Sequence, residues 1–504
     1  MGDEFDNGGY FFSFTYTNSN GFSEHGSGKG STFYQWGYPD DVDELNPYVT
    51  TPVLTGEDGL RLLDFSPSFE LYGKITVGEF TLKSRASYMA QDYLWETIYG
   101  VKSLDVVMKH FLTEIEHNKI LSENSTLTTK VNVHCMLYER GVPKTFKDPD
   151  VTADLETMTE IGVGAETIYN TTIADTHHII AGLKVSDIRI GPSLRHEYFI
   201  GDGSTTKNDD YPWGYKYFIV VDPDYDNTYG MYLEDNFKAT KDLSIVGGLS
   251  YEYNDLREKG GQTMPRAAVI YQLTDSLTVK YSYNTGYQRP PAQKKFSKHF
   301  GYVKKSEKIF EHDFQLSYNN DRFRASATGF RYKISDYFTW YDEGYDPVTN
   351  EKLAVGHFNK GEARSHGVEL DARYNLTKSF SFYGNYTYAD TKINDDYVIG
   401  EPHHFYNLGF DWNISKDFSL NLNVNGWYDM YHGKDTNNRD LFWDGTTEQI
   451  VDLCLLKQNI KDRFDLTVYA DNLLDNKVHV GMTGWPGYTY LQGFSAGMKV
   501  TVEF

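Results

Sequence analysis

The sequence predicts an all-β chain: an antiparallel transmembrane β-barrel of about twenty strands. Three observations carry that expectation. Apolar and polar residues alternate with period two over most of the chain. The connections between the alternating segments are short and long by turns. Only 39% of the 504 residues are hydrophobic, yet 16% are aromatic, with 41 Tyr and 31 Phe, at a mean hydropathy of -0.55.

The alternation is clearest from Ser379 to Asp390. Phe380, Phe382, Gly384, Tyr386 and Tyr388 fall on one face, and Ser379, Ser381, Tyr383, Asn385 and Thr387 on the other. Side chains point to opposite faces at successive strand positions, so this is one apolar and one polar face. Val368, Leu370, Ala372 and Tyr374 alternate with Gly367, Glu369, Asp371 and Arg373 just upstream, across the turn Asn375-Leu376-Thr377-Lys378. The pair reads as a long antiparallel hairpin. The same unit recurs around Val77-Gly78-Glu79, Thr240-Lys241-Asp242, Thr274-Asp275, Asn319-Asn320-Asp321, Ser415-Lys416-Asp417 and Lys461-Asp462-Arg463. A first strand is expected at Gly9–Asn18 and a last one ending at Phe504. The pattern blurs at Leu104–Glu116 and Leu127–Tyr138.

Between hairpins lie longer segments rich in Gly, Asp, Asn, Tyr and Trp: Ser19–Asp64, Gly191–Asp226, Pro290–Ser306, Tyr337–Lys360, Tyr431–Thr446 and Asn476–Thr489. Strict alternation places every short turn at one end of the sheet and every long loop at the other. A polar face on every strand requires a wet or protein-filled interior, and the apolar face must meet something continuous and greasy. A closed barrel with lipid outside satisfies both and removes the exposed sheet edge. Soluble sandwiches would group the strands into domains of about a hundred residues joined by linkers, and no such grouping is visible.

The composition narrows the function classes. No run of about 18 apolar residues is present, so no helix spans a bilayer. The aromatic content argues against disorder. A net charge of -23, from 48 Lys+Arg against 71 Asp+Glu, has the wrong sign for phosphate backbones. Two cysteines exclude a disulfide scaffold and a cysteine zinc site. Met1-Gly2-Asp3-Glu4-Phe5-Asp6 offers neither the basic nor the apolar part of a signal peptide. No catalytic motif of the G-x-S-x-G, H-E-x-x-H or P-loop type stands out, so the chain reads as a non-enzyme without a cofactor.

Several segments together resemble the TonB-dependent outer-membrane receptors. Pro265-Arg266-Ala267-Ala268-Val269 with Tyr281-Ser282-Tyr283-Asn284-Thr285-Gly286-Tyr287-Gln288-Arg289-Pro290-Pro291 is similar to that family's strand ending in an aromatic-Arg-Ala-Pro box. Tyr229–Phe237 with Gly247–Glu252, Ala363–Leu370, Ala470–Asp475 and the terminal Phe504 look like further family segments. The resemblance implies a 22-stranded barrel in the outer membrane of a Gram-negative bacterium. It implies uptake of a scarce small molecule, a ferric siderophore first, by TonB-coupled transport. Haem or cobalamin receptors of the same family, and a passive porin-like or adhesin barrel, are the alternatives. The family's plug domain and TonB box have no visible counterpart in residues 1–504, so the expectation is a barrel domain that lacks the plug and roughly the first hairpin. The inner-membrane partner would then act through the plug.

One loop stands out as a ligand site. After Arg289 come Lys294, Lys295, Lys298, His299, Lys304, Lys305 and Lys308, with no acid before Glu307. In so acidic a chain this is a local inversion of sign, suited to drawing in an anionic iron chelate. The alternative is that these lysines pair with lipid headgroups or with nearby acidic loops. The resemblance implies a haem-ligating role for His299, but the second motif of haem receptors is absent. The acid runs at Asp40–Glu44 and Asp222–Asp226 fit no EF-hand, and any metal ligand set is left open. Cys135 and Cys454 read as small hydrophobes.

Overall fold

The computed structural model describes residues 2–19, 22–23, 61–62, 65–97, 100–141, 155–191, 224–255, 260–290, 305–342, 355–398, 400–434, 440–442, 448–476, 478–481, 488–490 and 493–502. Every regular element in them is a strand. One sheet holds 23 strands. Two of these, Asp396–Tyr397 and Asp440–Phe442, are short additions beside a longer neighbour. The other 21 pair in sequence order.

They are β1 (Gly2–Phe5), β2 (Gly8–Ser19), β3 (Phe65–Val77), β4 (Phe80–Thr97), β5 (Gly100–Ser122), β6 (Ser125–Gly141), β7 (Leu155–Ile173) and β8 (His177–Ile190). Then come β9 (Asp224–Lys238), β10 (Leu243–Asn254), β11 (Gly260–Thr274), β12 (Leu277–Gln288), β13 (Glu307–Asn319) and β14 (Phe323–Asp342). The series closes with β15 (Val355–Asn375), β16 (Phe380–Ile393), β17 (Pro402–Ser415), β18 (Phe418–Lys434), β19 (Glu448–Ile460), β20 (Phe464–Asp471) and β21 (Ser495–Val502). Every pairing is antiparallel, so the order is a meander whose turns face alternate ends.

The strand order expected of a barrel is thus observed, with three differences. Gly2–Phe5 forms a further strand before Gly9–Asn18, paired Phe5↔Gly8. Residues 155–190 form a hairpin that the alternation does not single out. Strict alternation of short and long connections fails at the long-loop end, where pairing of β4 with β5 continues to Thr97↔Gly100 and only five residues separate β10 from β11. The blurred segments are strands, as expected, and among the longest, β5 having 23 residues and β6 having 17. Strands of this length outrun a membrane's apolar band, which needs only about 10 residues. Their outer ends are therefore free of the apolar-polar rule that the sequence reading used.

Turn chemistry fixes the short end. Gly78 (φ 56°) occupies the β3–β4 turn, and Asp462 (φ 59°) sits in the β19–β20 turn. These left-handed positions suit Gly, Asn and Asp.

The apolar face is uncovered by protein. Leu183 is 64% exposed, Leu249 54% and Met498 68%. A face this apolar and this open marks a partner surface, here a continuous one. Aromatic rings edge it at both ends. Near the short turns lie Phe380, Phe382, Phe410 and Trp412, with Phe380 and Phe410 stacked at 5.4 Å. Near the long loops lie Tyr386, Tyr388, His404 and Tyr428, with His404 and Tyr428 stacked at 4.2 Å. Phe380 and Tyr388 are separated on one strand by about 27 Å of chain at 3.3–3.4 Å per residue, which at a tilt of about 40° spans roughly 20 Å, most of an apolar band about 25 Å tall. The buried apolar side chains, including Ile190, Phe338, Ala363, Met430 and Tyr431, lie toward the long-loop ends of their strands.

Candidate functional site

The opposite face of the sheet is a wall of compensated charge. On β4 and β5, Lys83 reaches Glu114 at 3.0 Å and Glu116 at 2.9 Å. On β6 and β7, His134 faces Glu160 at 3.1 Å and Lys130 faces Glu166 at 4.0 Å. Further round, the pairs skip a strand. The Tyr232 hydroxyl of β9 donates to Glu166 of β7 at 3.2 Å, passing over Gly182 of β8. Lys184 of β8 pairs with Glu252 of β10 over Gly230, and Arg266 of β11 pairs with Glu234 of β9 over Gly248. In each case the intervening residue is glycine. A Cβ on Gly182 would stand 2.2 Å from the Tyr232 ring, and one on Gly230 would stand 2.5 Å from the Lys184 chain. Absence of a side chain is what lets the long neighbour lie flat across the strand.

The wall changes character on β16 to β19, where amides replace ions. Asn407 donates to Asn423 at 2.7 Å and to Asn425 at 2.6 Å. Asn421 donates to Asp411 at 2.7 Å and to the Tyr383 hydroxyl at 2.9 Å. At the border with the charged part, Arg373 of β15 keeps an ion pair with Asp411 at 2.6 Å. Asn425 donates to Asp452 at 3.2 Å. A face that exchanges hydrogen bonds at every step can pass a polar solute.

Arg289, the first of the candidate ligand residues, is described. It stands at the long-loop end of β12 and joins a nearly buried cluster. Its guanidinium pairs with Glu252, which also accepts from Tyr287, and donates to Thr228 at 2.8 Å. Beside them Asn254 donates to Asp226. So Arg289 neutralises a carboxylate of the wall. Lys305 is also described. It is exposed, lies 3.4 Å from Asp336, and its backbone exchanges hydrogen bonds with Asn359. Arg289 and Lys305 thus make separate sets of contacts. Lys294, Lys295, Lys298, His299 and Lys304 lie outside the described residues. Glu401, in the link between β16 and β17, is held above the ordinary carboxylate range by burial, opposed by the Thr391 hydrogen bond and His403.

The sequence reading did not identify Lys184, Glu252, Arg266 or Tyr232 as wall residues. The available signal was a long charged or phenolic side chain on the polar phase, in register with a glycine on the next strand. Cys135 and Cys454 are free thiols, and Cys454 shares the inner face with Asn421. Among the described residues, no group of three His, Cys, Asp or Glu is placed to hold a metal ion.

Comparison with known proteins fits this architecture. A family model described as TonB dependent receptor-like, beta-barrel, matches residues 2–473. An uncharacterized TonB-dependent receptor of Haemophilus influenzae is 25% identical over 223 residues, which is 40% of this chain and 61% of that relative, less than two thirds of its length. Among solved structures, a ferric enterobactin receptor of Pseudomonas aeruginosa superposes with a TM-score of 0.72 at 15% identity, over 99% of this chain and 76% of that one. The FrpB iron transporter of Neisseria meningitidis gives 0.70 at 13%, over 98% and 76%. The copper transporter OprC gives 0.68 at 15%, over 100% and 77%. At these identities the likeness speaks for the fold. A serial antiparallel meander, an uncovered apolar face between two aromatic belts, and a family match over nearly the whole length lead to one conclusion: the chain belongs to the TonB-dependent receptor-like β-barrel family.

Proposed function

We propose that this chain is the barrel of an outer-membrane receptor that imports a scarce ligand, a ferric siderophore first, by TonB-coupled transport. The carrying observation is the two-faced wall: apolar and uncovered outside, hydrogen-bonded and ion-paired inside, with the long connections gathered at one end. Such a wall supports a lumen for a polar solute and a loop-built binding mouth. Structural relatives named as ferric enterobactin, iron and copper transporters favour a metal-bearing ligand.

The binding role falls to the lysine-rich loop after Arg289: Lys294, Lys295, Lys298, His299, Lys304 and Lys305. Arg289 and Lys305 already face Glu252 and Asp336, so the excess positive charge resides in the residues between them. Uptake of radiolabelled iron chelates by cells carrying the intact receptor tests the proposal. Uptake is expected to stop when the inner-membrane energising complex is deleted, and continued uptake supports a passive pore instead. Replacing Lys294, Lys295 and His299 together is expected to weaken binding of an anionic chelate by roughly tenfold or more, at about 1 kcal/mol per charge removed. Unchanged binding across a panel of anionic chelates, haem and cobalamin would sink the lysine-lip assignment.

A further inference from the structure

The outer wall from β12 to β16 carries an ordered series of rows that transport does not require. Register fixes each row. Starting at mid-wall, Val279, Leu316, Ala327, Leu370 and Tyr386 are partners across five strands. The next row outward is Tyr281, Phe314, Gly329, Val368 and Tyr388. Then come Tyr283, His312, Arg331, His366 and Asp390, and beyond them Thr285, Phe310, Lys333, Arg364 and Lys392. Along one face the wall passes from aliphatic to aromatic to imidazole and guanidinium to a row with three cations.

Two adjoining hollows lie on this gradient. The upper one has a volume of about 770 Å³ and is lined by Arg331, Arg364, His366, Asp390 and Lys392, among others. The lower one, about 320 Å³, lies among Tyr281, Phe314, Val368 and Tyr388. Gly329 makes the lower hollow: it is the small residue in an aromatic row, and a Cβ placed on it meets nothing within 4 Å. Arg331 and His366 line both hollows.

Most charges of the upper hollow have partners within the chain, Lys392 lying 4.2 Å over the Tyr397 ring. Glu362 pairs with both Lys333 and Arg364, and Asp395 lies 3.7 Å from Arg364. Arg331 has no ion pair among the described residues. The Asp390 Oδ1 atom is buried without a hydrogen-bond donor. The hollow therefore offers cations for an anion and one carboxylate oxygen that needs a donor.

We infer that this face binds a phosphorylated glycolipid of the outer leaflet, with a phosphate against Arg331, Arg364 and Lys392, a sugar hydroxyl donating to Asp390, and an acyl chain in the notch at Gly329. The inference rests on the reading of the chain as an outer-membrane barrel, because only that placement brings a lipid to this wall with its headgroup on the cationic side. Phosphate oxygens match guanidinium and ammonium donors. A sugar supplies the hydroxyl that a plain phosphodiester lacks. Each basic residue near a lipid headgroup surface changes binding by about fivefold.

The test is mass spectrometry of lipid retained by the intact protein, purified in mild detergent from outer membranes. The parent protein should carry phosphorylated glycolipid. Arg331→Ser with Lys392→Ser should lower its retention more than tenfold. Gly329→Trp should lower retention with every charge intact, by filling the notch. Lys109→Ser, which alters a cation on β5 paired with Glu139, should change nothing. Retention unchanged in both hollow variants, displacement by millimolar inorganic phosphate alone, a phospholipid in place of the glycolipid, or a second copy of the chain on this face would each overturn the assignment. Variants that remain in the outer membrane and still import ligand separate that failure from failure of the transport reading. Recovery of the parent protein outside the outer membrane would overturn the reading beneath it.

Discussion

Glu252 shows how much a single position can organise. Three neighbours converge on it: Lys184 from β8, Arg289 beyond β12 and the Tyr287 hydroxyl. Its side chain is 11% exposed and that of Arg289 17%, so these charges are held with little water to replace a lost partner. The two deletions are therefore unequal. Arg289→Ala leaves Glu252 paired with Lys184 and should cost about 1.5–3 kcal/mol, the loss of a charge-assisted hydrogen bond. Glu252→Ala leaves Lys184 and the nearly buried Arg289 both without their carboxylate and should cost about 3 kcal/mol or more. Urea unfolding of the protein reconstituted in vesicles measures the difference. Equal costs, or a milder effect at Glu252, would mean that the cluster is not the hub described. Arg289 itself was legible in the sequence, through the aromatic-Arg-Pro-Pro box at Tyr287–Pro291. Its role was not, because a linear pattern shows a cation at a strand end and nothing of the carboxylate 37 residues upstream that occupies it.

Among the elements, alternation revealed the hairpins whose two faces differ in polarity, and it overlooked those whose faces do not. β7 is the clearest case. Its outward Ile161 and Val163 alternate with Gly162 and Gly164, and glycine carries no polar mark, so the strand reads as a featureless small-apolar run. Those glycines nevertheless serve the packing. A Cβ on Gly162 would stand 2.1 Å from the His134 ring. The blur at Leu104–Glu116 has another source: β5 runs 23 residues, and where a strand passes beyond the bilayer neither face need be apolar. The same glycine device yields an element-scale prediction on β8. Gly182→Val would place a branched side chain where the Tyr232 ring now lies and break its hydrogen bond to Glu166. Overpacking of this kind costs about 1–3 kcal/mol. Tyr232→Ala in the same chain should recover part of that loss by clearing the space. A double-mutant cycle on the urea midpoint reads the coupling, and strictly additive effects would refute direct packing of ring on glycine.

For the whole molecule, the direction of the edge strands constrains closure. β20 rises from the short turn at Lys461-Asp462-Arg463, so β21 descends toward the short-turn end. β1 also descends, since Phe5 and Gly8 flank a short turn beside Val77. The two edges run the same way, and among the described residues they do not pair. Joining them directly would insert one parallel pair into a sheet that is otherwise antiparallel throughout. One further ascending strand between them keeps every pair antiparallel and brings the 21 serial strands to the 22 of plugged outer-membrane transporters. Two strands separated by a third lie about 9.6 Å apart, at 4.8 Å per step, and a disulfide needs Cα atoms within about 7 Å. In intact protein lacking Cys135 and Cys454, Phe5→Cys, on the same outer face as the β21 positions, combined in turn with Met498→Cys, Val500→Cys or Val502→Cys should therefore give no intramolecular disulfide under mild oxidation. As a positive control, Val468→Cys with Met498→Cys, register partners on β20 and β21, should cross-link readily. An efficient bond from β1 to β21 would show that the barrel closes through a parallel seam, with 21 strands and a correspondingly narrower lumen.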